Sequence, residues 1–254
     1  MSVSIEAAGR TDVGQKRGHN EDAFAVHVED GLVVVADGVG GGRSGEVASR
    51  LAVEAVGNFF RVTSLDPEMT WPFKLNAARS FNENRLVVGV QLANLRVRES
   101  TASDPALDGM STTVVAVSFA ENEACIAHAG DSRVYRFREG SLHQMTEDHT
   151  LLADYQKLKQ LSPEEVAVFP YKNVIVRALG MRDDVEIAVA RHDTTAGDVF
   201  LLCSDGLSGM VSDREIAETL STVTDLDEAC AKLIDRANAH GGVDNITAVL
   251  VRVV

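Results

Sequence analysis

STTVVAVSFAENEACIAHAGDSRVYRFRE (residues 111–139) holds three apolar runs, TTVVAVSFA, EACIAHAG and SRVYRFRE, separated only by short polar turns. Parallel neighbours need a crossover of a dozen or more residues, so strands this closely spaced run antiparallel. The stretch is expected to form an antiparallel meander. A doubly wound parallel sheet would require a helix between successive strands, and residues 111–138 offer none.

Upstream, residues 23–28 and 31–36 are apolar and β-branched around Glu29-Asp30-Gly31, which reads as a hairpin delivering the chain to Asp37. The loop DGVGGGRSGE follows. Val47, Ala48, Leu51, Ala52, Ala55, Val56, Phe59 and Phe60 then recur at the spacing of one helical face. Residues 71–97 read as a second helix, with Pro72 in its first turn and Leu86, Val90 and Leu95 toward the core, and residues 101–110 as loop. Downstream, VEIAVARH and DVFLLCS are strand-like. Ser162 with Glu165, Ser212 with Glu215, and Asp225 with Glu228 have the spacing that opens helices. The last of these continues through Ala229, Cys230, Leu233, Ile234 and Ala237. The final run, NITAVLVRVV, is apolar on nearly every residue and should be a strand covered on both faces. Strands outnumber helices, and the helices carry single apolar faces. The expected fold is α+β: two packed antiparallel β-sheets flanked by helices on both sides.

Three apolar runs end on an aspartate followed by Gly or Ser: GLVVVADG at Asp37, ACIAHAGDS at Asp131 and VFLLCSDG at Asp205. A fourth acid, Asp244, enters the last strand, and Asn20, Glu21 and Asp22 stand near the start. Taken singly, an Asp-Gly after a strand is a turn, because Gly accepts positive φ and Asp caps its own backbone. Several acids at the ends of strands, however, suggest carboxylates gathered in one cleft, and such a cluster repels itself unless cations fill it. Oxygen-only ligation of this kind suits Mg²⁺ or Mn²⁺.

The 254 residues, 45% apolar and 24% charged, have the composition of an ordinary globular protein. One domain or two would fit the length. With no linker, repeat or low-complexity tract, and with the acids spread from residue 22 to residue 244, residues 1–254 are read as one domain. The formal charge of −14 argues against a nucleic-acid partner, which requires clustered Lys and Arg. Cys125, Cys203 and Cys230 are odd in number, far apart and set in apolar runs, with neither zinc spacing nor a disulfide framework. MSVSIEAAGRTD lacks the features of a secretion signal, and no run approaches the ~20 apolar residues that span a bilayer, so a cytoplasmic protein without membrane association is expected.

The strings RGHNEDA, VVVADGVGG, GEVAS, HAGDSR, DVFLLCSDGL and GGVDNIT occur in the order and approximate spacing of the metal-dependent protein phosphatases, the type 2C or PPM family. Over about residues 8–253 the chain resembles the compact bacterial branch of that family. The resemblance implies a protein serine/threonine phosphatase that uses two Mn²⁺ or Mg²⁺ ions, with a third, more weakly held site. It assigns Asp37 as the carboxylate shared by the two ions, the Gly38 carbonyl as a further ligand, and Asp205 and Asp244 as the remaining ligands of the second ion. Asp22 matches an acid that acts through bound water, and Asp131 with Asp205 matches the third site. Glu21 points away from Asp22 in an extended chain and ranks below it. Arg17 matches the phosphate-binding arginine, whose planar guanidinium grips two phosphoryl oxygens. The implied mechanism is attack of hydroxide, generated between two metal ions, in line on phosphorus without a covalent intermediate. The implied partners are phosphorylated proteins, a eukaryotic-like Ser/Thr kinase and that kinase's substrates, and the protein is expected to be a monomer. Residues 147–176, the least regular part of the chain, correspond to a flap beside the cleft.

Val39 stands where eukaryotic members carry a histidine two residues after the shared Asp, so no general acid is assigned. His19 and His149 lie nearest the motifs and read as structural or surface residues. Ser111 and Gly42 stand where many relatives have Gly and His, and Asp108 reads as a turn acid. Two other functions compete. A catalytically inactive pseudophosphatase serving as a regulatory binding module would have lost ligands, whereas Asp22, Asp37, Asp131, Asp205 and Asp244 are all present. A hydrolase with an Asp nucleophile needs a second acid two residues on, yet Asp37 is followed by Gly38 and Val39, and Asp205 by Gly206 and Leu207.

Overall fold

Val33 and Val35 face one way along their strand and Val34 and Ala36 the other, and this alternation sets the layers of the molecule. The computed structural model describes residues 4–40, 44–66, 68–159 and 161–254. In chain order its elements are β1 (Ile5–Asp12), β2 (Asp22–His27), β3 (Leu32–Val39), α1 (Ser44–Leu65), α2 (Phe81–Ser103), β4 (Ser111–Thr112), β5 (Val114–Ala120), β6 (Glu123–Ala129) and β7 (Arg133–Arg138). There follow β8 (Ser141–Gln144), α3 (Leu151–Leu158), α4 (Pro163–Ala167), β9 (Ala188–Asp193), β10 (Val199–Cys203), α5 (Asp205–Ser208), α6 (Asp213–Thr222), α7 (Leu226–Ala239) and β11 (Ile246–Val253). One sheet has the order β1-β11-β10-β7-β8; the other has β2-β3-β5-β6-β9, with β4 paired to β3. Their pairings are antiparallel.

Between the sheets, Val33, Val35, Val115 and Val117 pack against Phe200, Leu202, Val249 and Val251. The intervening residues turn outward: Leu32, Val34 and Ala36 lie under Ala52, Val56, Phe60, Leu86 and Val90 of α1 and α2. On the opposite side, Leu201, Cys203, Ala248 and Leu250 lie under Leu207, Ile216, Leu233 and Ala237. Each large side chain sealed in this way contributes roughly 1.5–3 kcal/mol. The two sheets with helices outside both are the layering expected from the sequence. The final strand is buried on both faces because Val249 and Val251 meet the other sheet while Ala248 and Leu250 meet the helices; β1, which the sequence reading did not anticipate, covers its edge by pairing along its whole length.

The meander does not form. β5 and β6 pair, but β7 belongs to the other sheet, where its neighbours are β10 and β8. The chain crosses at Gly130-Asp131-Ser132, where Gly130 has φ +117° and an added Cβ would lie 2.6 Å from Thr113. A crossing between sheets and a tight hairpin both use a short polar link, so the spacing does not tell them apart. Nor is residue 71–80 helical: α2 starts after Ser80, whose hydroxyl accepts from the Glu83 N–H while the Glu83 carboxylate accepts from the Ser80 N–H. The helix then runs into the segment read as loop. Leu86 and Val90 are buried, but Leu95 is 42% exposed. Ser162–Glu165 and Ser212–Glu215 are reciprocal capping boxes, and Asp225 accepts from the Glu228 N–H. The three cysteines are free and buried, and among the described residues no helix is long and apolar enough to cross a membrane.

Candidate active site

Asp22 and Asp37 are directly opposite each other in the β2–β3 pair, so their side chains share a face, and like charges so placed repel. Asp37 lies two residues beyond Val35 and therefore continues the inter-sheet face. Burial, then repulsion from neighbouring acids, pushes Asp22 up to about 7 and Asp37 well above the usual carboxylate range. From the other sheet Ser204 and Thr247 reach across, their hydroxyls donating to Asp22 Oδ2 at 2.7 and 2.6 Å. Asp22 Oδ1 is buried with no hydrogen-bond partner. Asp205 opens α5 one residue past β10, and burial followed by repulsion from Asp244 raises its pKa. Asp131, at the crossing between sheets, is 6% exposed. Its Oδ1 also lacks a partner, and burial, then Asp205, pushes it to about 7.

Asp37, Gly38, Asp205 and Asp244 line a single cleft of about 420 Å³ together with Arg17 and Glu21. A Cβ on Gly38 would run into the Gly45 carbonyl oxygen and lie 2.7 Å from that of Glu21, so this position closes only with glycine. Arg17 Nη2 is 2.6 Å from Asp244 Oδ2. Glu21 faces the cleft, away from Asp22, and its carboxylate is 3.3 Å from His19 Nε2. Among the described residues no three His, Cys, Asp or Glu side chains stand ready as a cation cage. Asp244 is engaged by Arg17, and Asp22 by two hydroxyls. The donor set nonetheless fits a hard divalent cation: it is entirely oxygen, its carboxylates raise one another's pKa, and two buried acceptors lack partners.

Residues 13–251 match the family model for protein phosphatase 2C. The chain belongs to this family. It is 37% identical over 250 residues to the serine/threonine phosphatase stp of Listeria monocytogenes, spanning 97% of this chain and 95% of that protein. The crystal structure of the Mycobacterium tuberculosis serine/threonine phosphatase PstP/Ppp is similar with a TM-score of 0.84 at 34% identity, covering 100% of this chain and 99% of that one. The catalytic domain of a serine/threonine protein phosphatase PstP in complex with two manganese ions gives 0.82 at 35% identity, covering 100% of both.

In this type 2C chain the cleft is also lined by Val39, Gly40, Ser111, Asn173, Ile175, Ala178 and Met181. Asn173 and Ile175 come from the segment read as a flap. Its two legs are joined by Leu151 N–H to Val174 O and Val176 N–H to His149 O, each 2.9 Å. The helix α3 in this segment was not foreseen: it is eight residues long and fully buries none of them, so its apolar stripe is short. His149 is structural, as expected: its Nδ1 accepts from the Gly130 N–H at 3.2 Å, and burial, then His128 and Arg177, holds its pKa down to about 3. Asp108 ends a short 3₁₀ turn on the surface. Gly42 lies outside the described residues, as do the other two residues of 41–43.

Sequence reasoning missed Asn245. Its amide donates to Val13 O and His19 O at 3.0 Å each, and its carbonyl accepts from the Glu21 N–H at 2.8 Å, so it hangs the loop bearing Arg17 and Glu21 on the start of β11. A polar Asp-Asn pair directly before an unbroken apolar strand was the available signal. Ser204 and Thr247 were missed as well, although they continue the inward phase of Leu202 and Val249.

Proposed function

We propose that the protein hydrolyses phosphoserine and phosphothreonine on phosphorylated proteins, using two Mn²⁺ or Mg²⁺ ions held by Asp37, the Gly38 carbonyl, Asp205 and Asp244. In this reading Asp22 acts through water, and Asp131 with Asp205 forms a third, weaker site. The observation that carries it is the meeting of acids as remote in sequence as Asp22 and Asp244 at one end of two sheets, where their mutual repulsion helps raise the pKa values of Asp22, Asp37 and Asp205. The named relatives, and the neighbour that holds two manganese ions, support it. When bound, divalent cations lower the pKa of a coordinated water and offset charge on phosphoryl oxygens.

The chain's own residues place and hold. Arg17, at the mouth of the acid cluster, orients the phosphoryl group through a planar guanidinium. Asn245 and the Gly38–Glu21 contact fix the loop that carries Arg17. Ile175, Ala178 and Met181 give the cleft an apolar surface that receives the substrate's non-reacting atoms and excludes water. Val39 offers no proton, so this chain supplies no side-chain general acid at that position. The inactive-module alternative has no lost acid in its favour. The reading extends to a eukaryotic-like Ser/Thr kinase and its substrates as partners, to a cytoplasmic monomer, and to one catalytic domain over residues 1–254 with a flap at about 147–176.

Hydrolysis of a phosphothreonine peptide with Mn²⁺, with Mg²⁺ and with chelator, for the wild type and Asp37→Asn, tests the proposal. Turnover is expected to vanish in chelator and to fall steeply in the variant, with no phospho-enzyme trapped. Undiminished turnover in chelator refutes it.

A further inference from the structure

We infer that Thr113 and Ser132 are positioning residues of the metal centre: a buried pair of hydroxyls that sets the spacing between Asp37 and the Asp131 turn. The inference rests on the proposed function in taking these two acids as cation ligands. Thr113 stands between β4 and β5 in one sheet, and Ser132 directly before β7 in the other. Their hydroxyl oxygens are 2.7 Å apart, and the residues are 0% and 1% exposed. The pair therefore ties the two sheets together at the end where the acids meet.

Thr113 holds the main chain of Asp37 from both directions. The Asp37 N–H donates to Thr113 Oγ1 at 3.1 Å, and the Thr113 N–H donates to Asp37 O at 2.9 Å. The β3–β5 ladder ends at the Val35–Val115 pair and pairing resumes with β4 at Gly38–Thr112, so Asp37 lies in the gap between the two ladders, where these bonds and the Thr112 hydroxyl, 2.9 Å from Asp37 O, hold it. The same threonine braces the other acid. Its methyl carbon packs where a Cβ on Gly130 would be, 2.6 Å away, and its hydroxyl meets the residue that follows Asp131.

Packing alone does not account for hydroxyls at these two positions. Valine and alanine would fill the same space without a polar group to satisfy, and a buried hydroxyl is tolerated only when it is hydrogen-bonded. Neither residue lines the cleft, so each acts through the backbone of an acid. Partners that orient ligands in this way typically change metal affinity or activity by roughly 10–100-fold when removed.

The test is Mn²⁺ titration by calorimetry, with thermal unfolding and phosphopeptide kinetics alongside, on the wild type, Thr113→Val, Thr113→Ser, Ser132→Ala and the double variant Thr113→Val/Ser132→Ala. Thr113→Val should lose Mn²⁺ affinity by roughly 10–100-fold and lower kcat more than it alters KM. Thr113→Ser, which keeps the hydroxyl but gives up the methyl packed on Gly130, should keep most of the Mn²⁺ affinity that Thr113→Val loses. The double variant should fall no further than Thr113→Val, since the two hydroxyls act as one link. A Thr113→Val protein that melts lower yet binds Mn²⁺ like the wild type makes the hydroxyl merely structural and overturns the inference, as do additive losses in the double variant. Should Thr113→Val not fold, Ser132→Ala decides by the same criterion. A wild type that takes up no Mn²⁺ overturns the proposed function and the inference with it, whereas a binding wild type beside equally binding variants overturns the inference alone.

Discussion

Replacing Arg17 by alanine should weaken substrate binding without harming cation binding, and the structure sets both magnitudes. Arg17 Nη2 lies 2.6 Å from Asp244 Oδ2, with the two side chains 51% and 32% exposed. A pair this open to solvent contributes ~0.2–1 kcal/mol, so freeing Asp244 improves its availability to a cation by about fivefold at most. The phosphate contact is worth more. Charge-assisted hydrogen bonds contribute ~1.5–3 kcal/mol, which corresponds to a loss of roughly 10–150-fold in substrate affinity. Steady-state kinetics on a phosphothreonine peptide should therefore show KM raised within that range and kcat changed far less, while Mn²⁺ calorimetry gives an affinity equal to or slightly tighter than wild type. Arg17→Lys keeps the charge but not the planar fork and should recover only part of the loss. An unchanged KM and kcat would remove Arg17 from the site. A drop in Mn²⁺ affinity would show that Arg17 props Asp244 in place, and would refute the reasoning.

Asp198 is 1% exposed and accepts from Arg138 Nε and Nη2 at 2.7 Å each and from the Thr195 N–H at 2.9 Å. Burial alone would raise its pKa, but the Arg138 and Thr195 bonds outweigh it and the pKa is lowered. Its stabilisation is therefore present above the unfolded pKa near ~4 and is lost as pH falls through the folded value. Asp198→Ala, which leaves Arg138 only the exposed Asp193, should cost about 2–4 kcal/mol and several degrees of melting temperature at pH 7. A difference from wild type that does not shrink in acid counts against this account. Gly206→Ala should lower both stability and turnover, because its Cβ would collide with the Asn245 carbonyl oxygen under the Asp205 turn. Melting and turnover like those of the wild type would show that this turn relaxes freely.

The layers are legible in the sequence because their signals are local. Alternation in residues 32–36 and the helical stripe from Val47 to Phe60 each fit within one element. The acids are legible because each marks the end of an apolar run. What escaped depends on contacts between elements. The link at Gly130–Ser132 has the length of a hairpin, and only the partner strands of β7 reveal that it changes sheets. The Ser80–Glu83 box was present in the chain, yet Pro72 offered an earlier start for α2. α3 is eight residues long, and its amphipathic pattern is too short to stand out within an irregular segment. Ser204 and Thr247 look like ordinary polar residues beside strands until it is known which face of each strand turns inward.

That inward phase explains why the site forms where it does. Along β3 it runs Val33, Val35, Asp37; along β10 it runs Phe200, Leu202 and then Ser204; along β11, read backward, it runs Val251, Val249, Thr247 and then Asn245. The alternation that packs the sandwich thus continues one step past the last apolar side chain and places carboxylates of one sheet against hydroxyls of the other. A buried carboxylate needs donors, and strands of its own sheet spend theirs on the ladder, so the donors come from across the gap. Two oxygens of Asp22 face this arrangement, but Ser204 and Thr247 both serve Oδ2. Oδ1 is left buried without a partner while Asp205 and Asp244 repel the Asp22 charge, a repulsion that another acceptor does not relieve and positive charge does. Core periodicity thus places Asp22 and Asp37, the turns at Asp131, Asp205 and Asp244 bring the other acids to the same end, and the repulsion of the cluster is relieved by a cation.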